Sequence, residues 1–164
     1  MKKALAKSKV RVFLVDDHPI VRRGFQLLLS LEPDLMVCGE ADSGPVALEK
    51  ILALKPDVAI VDLSLKSSSG LDLIKQIRAQ RSRTKILVFT MRGEIIYAER
   101  ALRAGANGYI TKDEGTEKAI EAIRLLMQGK TCFNFRNDPE KEVLADLKRL
   151  TDAAVKDWSA KKWL

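Results

Sequence analysis

The chain has 164 residues, 46% of them hydrophobic, and a formal net charge of +7. A chain of this length can bury enough apolar surface to fold without staples, and its two cysteines, Cys38 and Cys132, lie far apart with no cluster of histidines near either, so disulfide and metal frameworks are excluded. Reduced thiols point to a cytoplasmic setting; the basic leader with Lys2, Lys3, Lys7 and Lys9 lacks the apolar stretch of a secretory signal, and no later run is long enough to span a membrane.

After the leader, residues 1–9, short runs rich in Val, Ile and Leu alternate with longer stretches whose apolar residues recur at three and four. A first strand is predicted over Val10 to Val15, followed by a helix over Ile20 to Leu31 with Val21, Phe25, Leu28 and Leu29 on its buried face. A strand over Leu35 to Glu40 leads to a helix over Val46 to Leu54, then a strand over Val58 to Val61 and a helix over Leu71 to Ala79. The fourth strand covers Lys85 to Thr90, and the fourth helix runs from about Glu94 to Ala104 and stops at Gly105, a residue free to take the left-handed C-cap. A fifth strand over Gly108 to Ile110 precedes a helix from about Thr116 to Met127, with Thr116 or Asp113 as cap candidates and Gly129 as its stop. Alternating strands and helices joined by right-handed crossovers give an α/β fold. The expected architecture is a doubly wound, five-stranded parallel sheet in the flavodoxin-like order 2-1-3-4-5.

In such sheets ligands bind beyond the carboxyl ends of the strands, where the strand order reverses. The first strand runs out into Asp16-Asp17 and the third into Asp62, so three carboxylates converge at one edge. Gathering like charges in partial burial costs stability unless a cation neutralises them, and Mg2+, which favours hard oxygen ligands and phosphate, is the natural candidate. Taken singly, each acid could simply cap a helix start; three acids at two matching strand ends favour a site. The fourth strand ends in Thr90 and the fifth runs into Lys112, which adds a hydroxyl and an ammonium to the same edge. The set holds a carboxylate nucleophile, a metal-binding pair and two groups able to hold phosphoryl oxygens.

The segments that carry this set are Phe-Leu-Val-Asp-Asp-His-Pro-Ile-Val-Arg-Arg-Gly at 13–24, Asp-Val-Ala-Ile-Val-Asp-Leu at 57–63, Phe-Thr-Met at 89–91 and Ala-Gly-Ala-Asn-Gly-Tyr-Ile-Thr-Lys at 104–112. In this order and spacing, the chain from Val10 to Gly129 resembles the receiver domain of bacterial two-component response regulators, of the CheY-like superfamily and closest to the NarL/FixJ type. The resemblance implies that Asp62 is the phosphoacceptor, that Asp17 is a direct metal ligand and that Asp16 acts largely through water. It implies that the backbone carbonyl of Ser64 completes the protein's share of the Mg2+ shell, and that Thr90 and Lys112 receive the phosphoryl group. Tyr109 matches the aromatic whose rotamer reports phosphorylation. The implied donor is a sensor histidine kinase, and the domain is a signalling phosphoacceptor that assists its own modification rather than an enzyme.

The sequence departs from that pattern in the loop Leu63-Ser64-Leu65-Lys66-Ser67-Ser68-Ser69-Gly70, where Lys66 stands in the family's proline position; a floppier, less acidic loop is expected, with the phosphorylation rate altered. His18, the only histidine, is read as part of a helix start with Pro19 at the first turn, not as a catalytic group. The chain's positive charge does not gather into a stripe interleaved with aromatics, so direct nucleic-acid binding is not expected. Residues 130–164 are read as a linker and one amphipathic helix starting near Asp138-Pro139, with Val143, Leu147, Leu150, Ala154 and Trp158 on its apolar face. A complete four-helix DNA-binding domain does not fit in that length. The helix would dock on its own receiver, or pair with a second copy or a partner protein alongside the fourth and fifth helices. The alternative function is a DNA-binding transcriptional regulator whose effector domain is absent from this chain. A haloacid-dehalogenase-like phosphohydrolase would need a second Asp where Ser64 stands, and a flavodoxin would need a Ser/Thr-rich phosphate loop where Asp16-Asp17-His18-Pro19 stands.

Overall fold

A computed structural model describes residues 8–133. The leader through residue 7 and the amphipathic helix expected between Asp138 and Trp158 lie outside the described residues. Strands β1 (Val10–Val15), β2 (Leu35–Ala41), β3 (Val58–Val61), β4 (Lys85–Thr90) and β5 (Gly108–Thr111) alternate with helices α1 (Pro19–Ser30), α2 (Gly44–Leu54), α3 (Gly70–Ala79), α4 (Ile95–Ala104) and α5 (Thr116–Met127). The five expected strands pair in parallel in the expected order, and a sixth, β6 (Cys132–Phe133), extends the sheet to β2-β1-β3-β4-β5-β6. Gly129, at φ 77°, turns the chain after α5, and β6 then lies beside the first half of β5, pairing Gly108 with Cys132 and Tyr109 with Phe133.

Side chains of a strand alternate between faces, so one apolar run serves two cores. Phe13 and Val15 of β1, Ala59 and Val61 of β3, and Ile86 and Val88 of β4 face α2, α3 and α4, where Ile51, Ile74 and Ile77 are fully buried. Val12 and Leu14, Val58 and Ile60, and Leu87 and Phe89 face α1 and α5, against Phe25, Leu29 and Ile123. Phe25 and Phe89 meet edge to face at 5.0 Å beneath the carboxyl ends of β1 and β4. Burying each such Leu, Ile or Phe contributes about 1.5–3 kcal/mol. Two packed layers therefore hold the strand ends in fixed register.

The helix termini differ from expectation in one instructive place. Neither Thr116 nor Asp113 caps α5; its N-cap is Gly115, at φ 90°. Thr111 and Glu114 instead form a capping box around a short 3-10 turn, Lys112–Glu114, so the residue after β5 is held in a tight turn before the helix starts. That turn fixes the point from which Lys112 leaves the sheet.

The opposite, amino-terminal edge is closed by Arg78 on α3. Its guanidinium donates to the carbonyls of Gly105, Ser82 and Thr84 at 2.8–3.0 Å and to Asn107 Oδ1 at 2.8 Å. Asn107 Oδ1 also accepts the Ile86 N–H at 2.9 Å, and the Thr84 hydroxyl donates to the Pro56 carbonyl at 2.9 Å. Burial pushes the Arg78 guanidinium down to about 10. These acceptors are neutral but numerous, and together they satisfy most of the donors of a buried cation.

Candidate phosphoacceptor site

The order reversal falls between β1 and its two neighbours β2 and β3, and the residues that follow β1 and β3 are the acids. Asp16 is 5% exposed and Asp62 is 2% exposed. Lys112, arriving from the turn after β5, bridges them: its Nζ donates to Asp16 Oδ2 at 2.6 Å and to Asp62 Oδ2 at 2.8 Å. Burial works to lower the lysine's pKa, but the hydrogen bonds and charges of Asp16 and Asp62 outweigh it and hold the ammonium above its ordinary range. The residue thus stays cationic where its charge is needed.

The second oxygens of the acids differ in a way that bears on metal binding. Asp16 Oδ1 accepts the His18 backbone N–H at 2.8 Å and lies 3.0 Å from His18 Nδ1, and Asp62 Oδ1 accepts the Ser64 N–H at 3.0 Å. Asp17 Oδ2 accepts the Lys66 N–H at 3.0 Å, but Asp17 Oδ1 is buried and accepts no hydrogen bond. His18 Nδ1 stands 2.9 Å from that oxygen without hydrogen-bond alignment. A buried carboxylate oxygen left unpartnered is costly unless something cationic completes it. One ligand atom from each of Asp16, Asp17, His18 and Asp62 falls within 4.8 Å of the others, a spread that a small divalent ion can join. The acidic cluster fits a hard cation.

Thr90 and Tyr109 meet at the backbone of Arg92. Thr90 is fully buried at the end of β4, and its Oγ1 accepts the Arg92 N–H at 3.4 Å; no hydrogen bond joins it to Asp62. Tyr109 is fully buried, and its hydroxyl donates to the Arg92 carbonyl. Burial, reinforced by the negative charge of Glu94, pushes the phenol's pKa well above its ordinary value. Ser64 is present in the site through its N–H on Asp62 and through its hydroxyl, which accepts from Arg92 Nε at 3.3 Å.

The loop after Asp62 is tied at several points, contrary to the loose segment expected from Lys66. Leu63 and Leu65 are buried, Ser64 and Ser69 form an antiparallel bridge, and Ser68 Oγ accepts the Gly44 N–H at 2.8 Å. Gly70 passes so close to the chain that a Cβ there would stand 2.2 Å from the Asp62 carbonyl oxygen, which requires glycine at this position. Lys66 itself supplies a bond no proline could, because proline has no N–H to offer Asp17. Sequence reasoning missed this role, and it missed Arg92; neither a backbone donor nor a loop arginine carries a pattern that marks it.

Similarity to known proteins shows the family. The profile of the response regulator receiver domain matches residues 12–124. The chain belongs to the response regulator receiver family. Among relatives, it is 37% identical over 127 residues to the uncharacterized transcriptional regulatory protein YxjL of Bacillus subtilis, covering 77% of this chain and 58% of that protein. It is 38% identical over 128 residues to the oxygen regulatory protein NreC of Staphylococcus epidermidis, covering 77% of this chain and 59% of that protein. The chain thus spans less than two thirds of the length of these relatives. The signal receiver domain of the putative response regulator NarL from Mycobacterium tuberculosis superposes with a TM-score of 0.71 at 35% identity, over 75% of this chain and 99% of that one. A LuxR-family two-component response regulator from Aurantimonas sp. SI85-9A1 gives a TM-score of 0.73 at 31% identity, over 90% of this chain and 98% of that one. The receiver is a phosphoacceptor signalling domain with a CheY-like fold. No helix among its described residues is long and apolar enough to cross a membrane.

Proposed function

We propose that this receiver takes a phosphoryl group onto Asp62 from the phosphohistidine of a sensor histidine kinase, and signals by changing shape rather than by catalysing a reaction on an external substrate. The observation that carries the reading is Lys112 Nζ bridging Asp16 and Asp62 at the switch point, with the open Asp17 oxygen in the same acidic cluster. A carboxylate is a modest nucleophile, so most of the rate must come from alignment and charge stabilisation. Asp62 attacks phosphorus, the bond from phosphorus to the donor's imidazole nitrogen breaks, and its electron pair stays on that nitrogen; the product is an acyl phosphate. Mg2+ would be held by Asp17, Asp62 and the Ser64 carbonyl, with Asp16 acting through water, and when bound it supplies the positive charge that lets a phosphate approach these acids.

Lys112 then pairs with one phosphoryl oxygen and the Thr90 hydroxyl donates to another. Because Thr90 accepts the Arg92 N–H and the buried Tyr109 hydroxyl donates to the Arg92 carbonyl, a shift of Thr90 toward the phosphoryl group loosens the segment that holds Tyr109. Inverting a two-state population from roughly 1:99 to 99:1 takes about 5.5 kcal/mol of preference, within reach of a few charge-assisted hydrogen bonds in a low-dielectric site. The domain division we favour keeps the receiver at 10–129, with its short β6 extension, and assigns 130–164 to a linker and helix that join α4 and α5 in contacting a second copy or a partner protein in the cytoplasm. Direct contact with nucleic acid is not part of this reading.

The test is incubation with acetyl phosphate and Mg2+ followed by intact mass. One added phosphoryl group is expected, absent in Asp62→Asn and in chelator. A phosphoryl group that persists in Asp62→Asn sinks the assignment. Lys112→Ala is expected to accept the group yet leave oligomeric state and partner affinity unchanged.

A further inference from the structure

Arg92 lies between the acceptor and the outer surface, and its contacts are of an unusual kind for an arginine. Its Nε donates to Ser64 Oγ at 3.3 Å, its Nη1 donates to the Tyr97 hydroxyl at 3.0 Å, and its guanidinium carbon sits 4.8 Å above the Tyr97 ring. Among the described residues no carboxylate lies within ion-pairing distance of it, so a full positive charge is held only by two neutral oxygens and a ring face. Ser64 is in turn bonded to Asp62 Oδ1 through its N–H, so the cation stands one residue from the acceptor carboxylate. The backbone of the same residue receives the Tyr109 hydroxyl and donates to Thr90. One residue therefore touches the acceptor loop, both switch groups and the start of α4.

We propose that Arg92 transmits the phosphorylation state of Asp62 to the α4 surface: its guanidinium leaves Tyr97 for the phosphoryl oxygens and so releases the Tyr97 side chain. The inference rests on the reading of Asp62 as acceptor. A phosphoryl group adds nearly two negative charges and three strong acceptor oxygens at the place where the guanidinium is now weakly held. Hydrogen bonds between ions are roughly twice as strong as those between neutral groups, and the planar fork of arginine matches phosphate. The exchange is downhill because, among the described residues, no carboxylate pairs with Arg92 in the unmodified state. Tyr97 then loses a hydrogen bond and the nearer of the two cations over its ring, Arg100 remaining 5.9 Å from the centroid. It belongs to a stretch in which Met91 is 71% and Ile96 50% exposed, so its release alters an apolar surface that a partner could read.

The chain has two tyrosines, Tyr97 and Tyr109, so 3-fluorotyrosine labelling of the full chain gives two fluorine resonances, assigned with Tyr97→Phe. Acetyl phosphate and Mg2+ are added, intact mass is followed in parallel, and wild type is compared with Arg92→Gln and Arg92→Lys. The Tyr97 resonance is expected to move on phosphorylation of wild type toward its position in unmodified Arg92→Gln. In Arg92→Gln it should stay put although the phosphoryl group is gained, and Arg92→Lys should fall between. Full phosphorylation by mass with an unmoved Tyr97 resonance overturns the proposal alone, as does an equal movement in Arg92→Gln. Absence of added mass in wild type overturns the Asp62 assignment and this proposal with it.

Discussion

The two edges of the sheet handle buried charge in opposite ways. At the amino edge a single cation, Arg78, meets three carbonyls from two loops and the Asn107 amide, and its requirements are met within the chain. At the carboxyl edge two of three carboxylates, Asp16 and Asp62, share one ammonium, and one buried oxygen of Asp17 accepts no hydrogen bond. Fully buried apolar side chains lie beneath both edges. Stability is thus concentrated where polar groups are mutually satisfied, while binding capacity is kept where they are not.

The sharpest way to break this contrast is at Arg78. Arg78→Met leaves three carbonyls and the Asn107 amide short of a donor, and each buried unsatisfied group costs about 1–3 kcal/mol. After relaxation and water entry the expected loss is about 3–5 kcal/mol in urea unfolding, with the stoichiometry of phosphorylation of the folded protein unchanged. If the variant is as stable as wild type, or if it folds but takes up no phosphoryl group, the division of labour between the edges is wrong.

Mg2+ should act on the other edge alone. A ligand that binds only the folded state at ~100 times its Kd adds about 2.7 kcal/mol of stability. Wild type is expected to gain that much in a Mg2+ titration of thermal unfolding, and Arg78→Met to gain the same from its lower starting point. Asp17→Asn, which removes the charge behind the open oxygen, should gain little. An equal gain in Asp17→Asn would show that the ion binds elsewhere.

A smaller effect separates the side chain of Lys66 from its backbone. Residues that orient metal ligands typically change affinity by about 10–100-fold when lost. Lys66→Pro deletes the N–H that holds Asp17 Oδ2 and should weaken Mg2+ by about tenfold, whereas Lys66→Ala keeps the N–H and should leave affinity near wild type. Equal losses in both variants would assign the effect to the lysine's charge instead.

These predictions also mark what the sequence could disclose. β1, β3, β4 and β5 were legible because strands buried on both faces must be nearly continuous in Val, Ile and Leu, and Asp16, Asp17, Asp62 and Lys112 were legible because they end such runs. β6 was not, since two residues carry no periodicity and pair only because Gly129 turns the chain back toward β5. His18 looked like a helix start and is the N-cap of α1, but its ring is set against Asp16 and Asp17, a contact that depends on backbone direction. The N–H of Lys66 and the guanidinium of Arg92 were illegible for the same reason: their partners are chosen by loop geometry, and the sequence shows only that a non-proline and a basic residue stand there.

The smallest expected effect lies in the alkaline arm of the stability curve. In the folded chain the Lys112 ammonium holds its proton more tightly than in the unfolded chain, because the attraction of Asp16 and Asp62 exceeds the cost of burial. A group whose folded pKa is raised contributes stability that is fully present below its unfolded value and is lost as the pH climbs through the folded one. For Lys112 that window opens near the ordinary value of 10.5 and extends above it. The difference in unfolding free energy between wild type and Lys112→Met, in metal-free buffer, should therefore be flat from neutral pH to about pH 10 and shrink beyond it. Subtracting the two proteins cancels Tyr109, whose raised pKa pulls the same way in both, and Arg78 at the far edge, where burial pulls oppositely. Saturating Mg2+ competes for the same carboxylates, so it should weaken the lysine's hold on its proton and move the onset of the decline toward lower pH. A difference that stays level through strong alkali, or an onset indifferent to Mg2+, would mean that Lys112 is not coupled to the acids in solution.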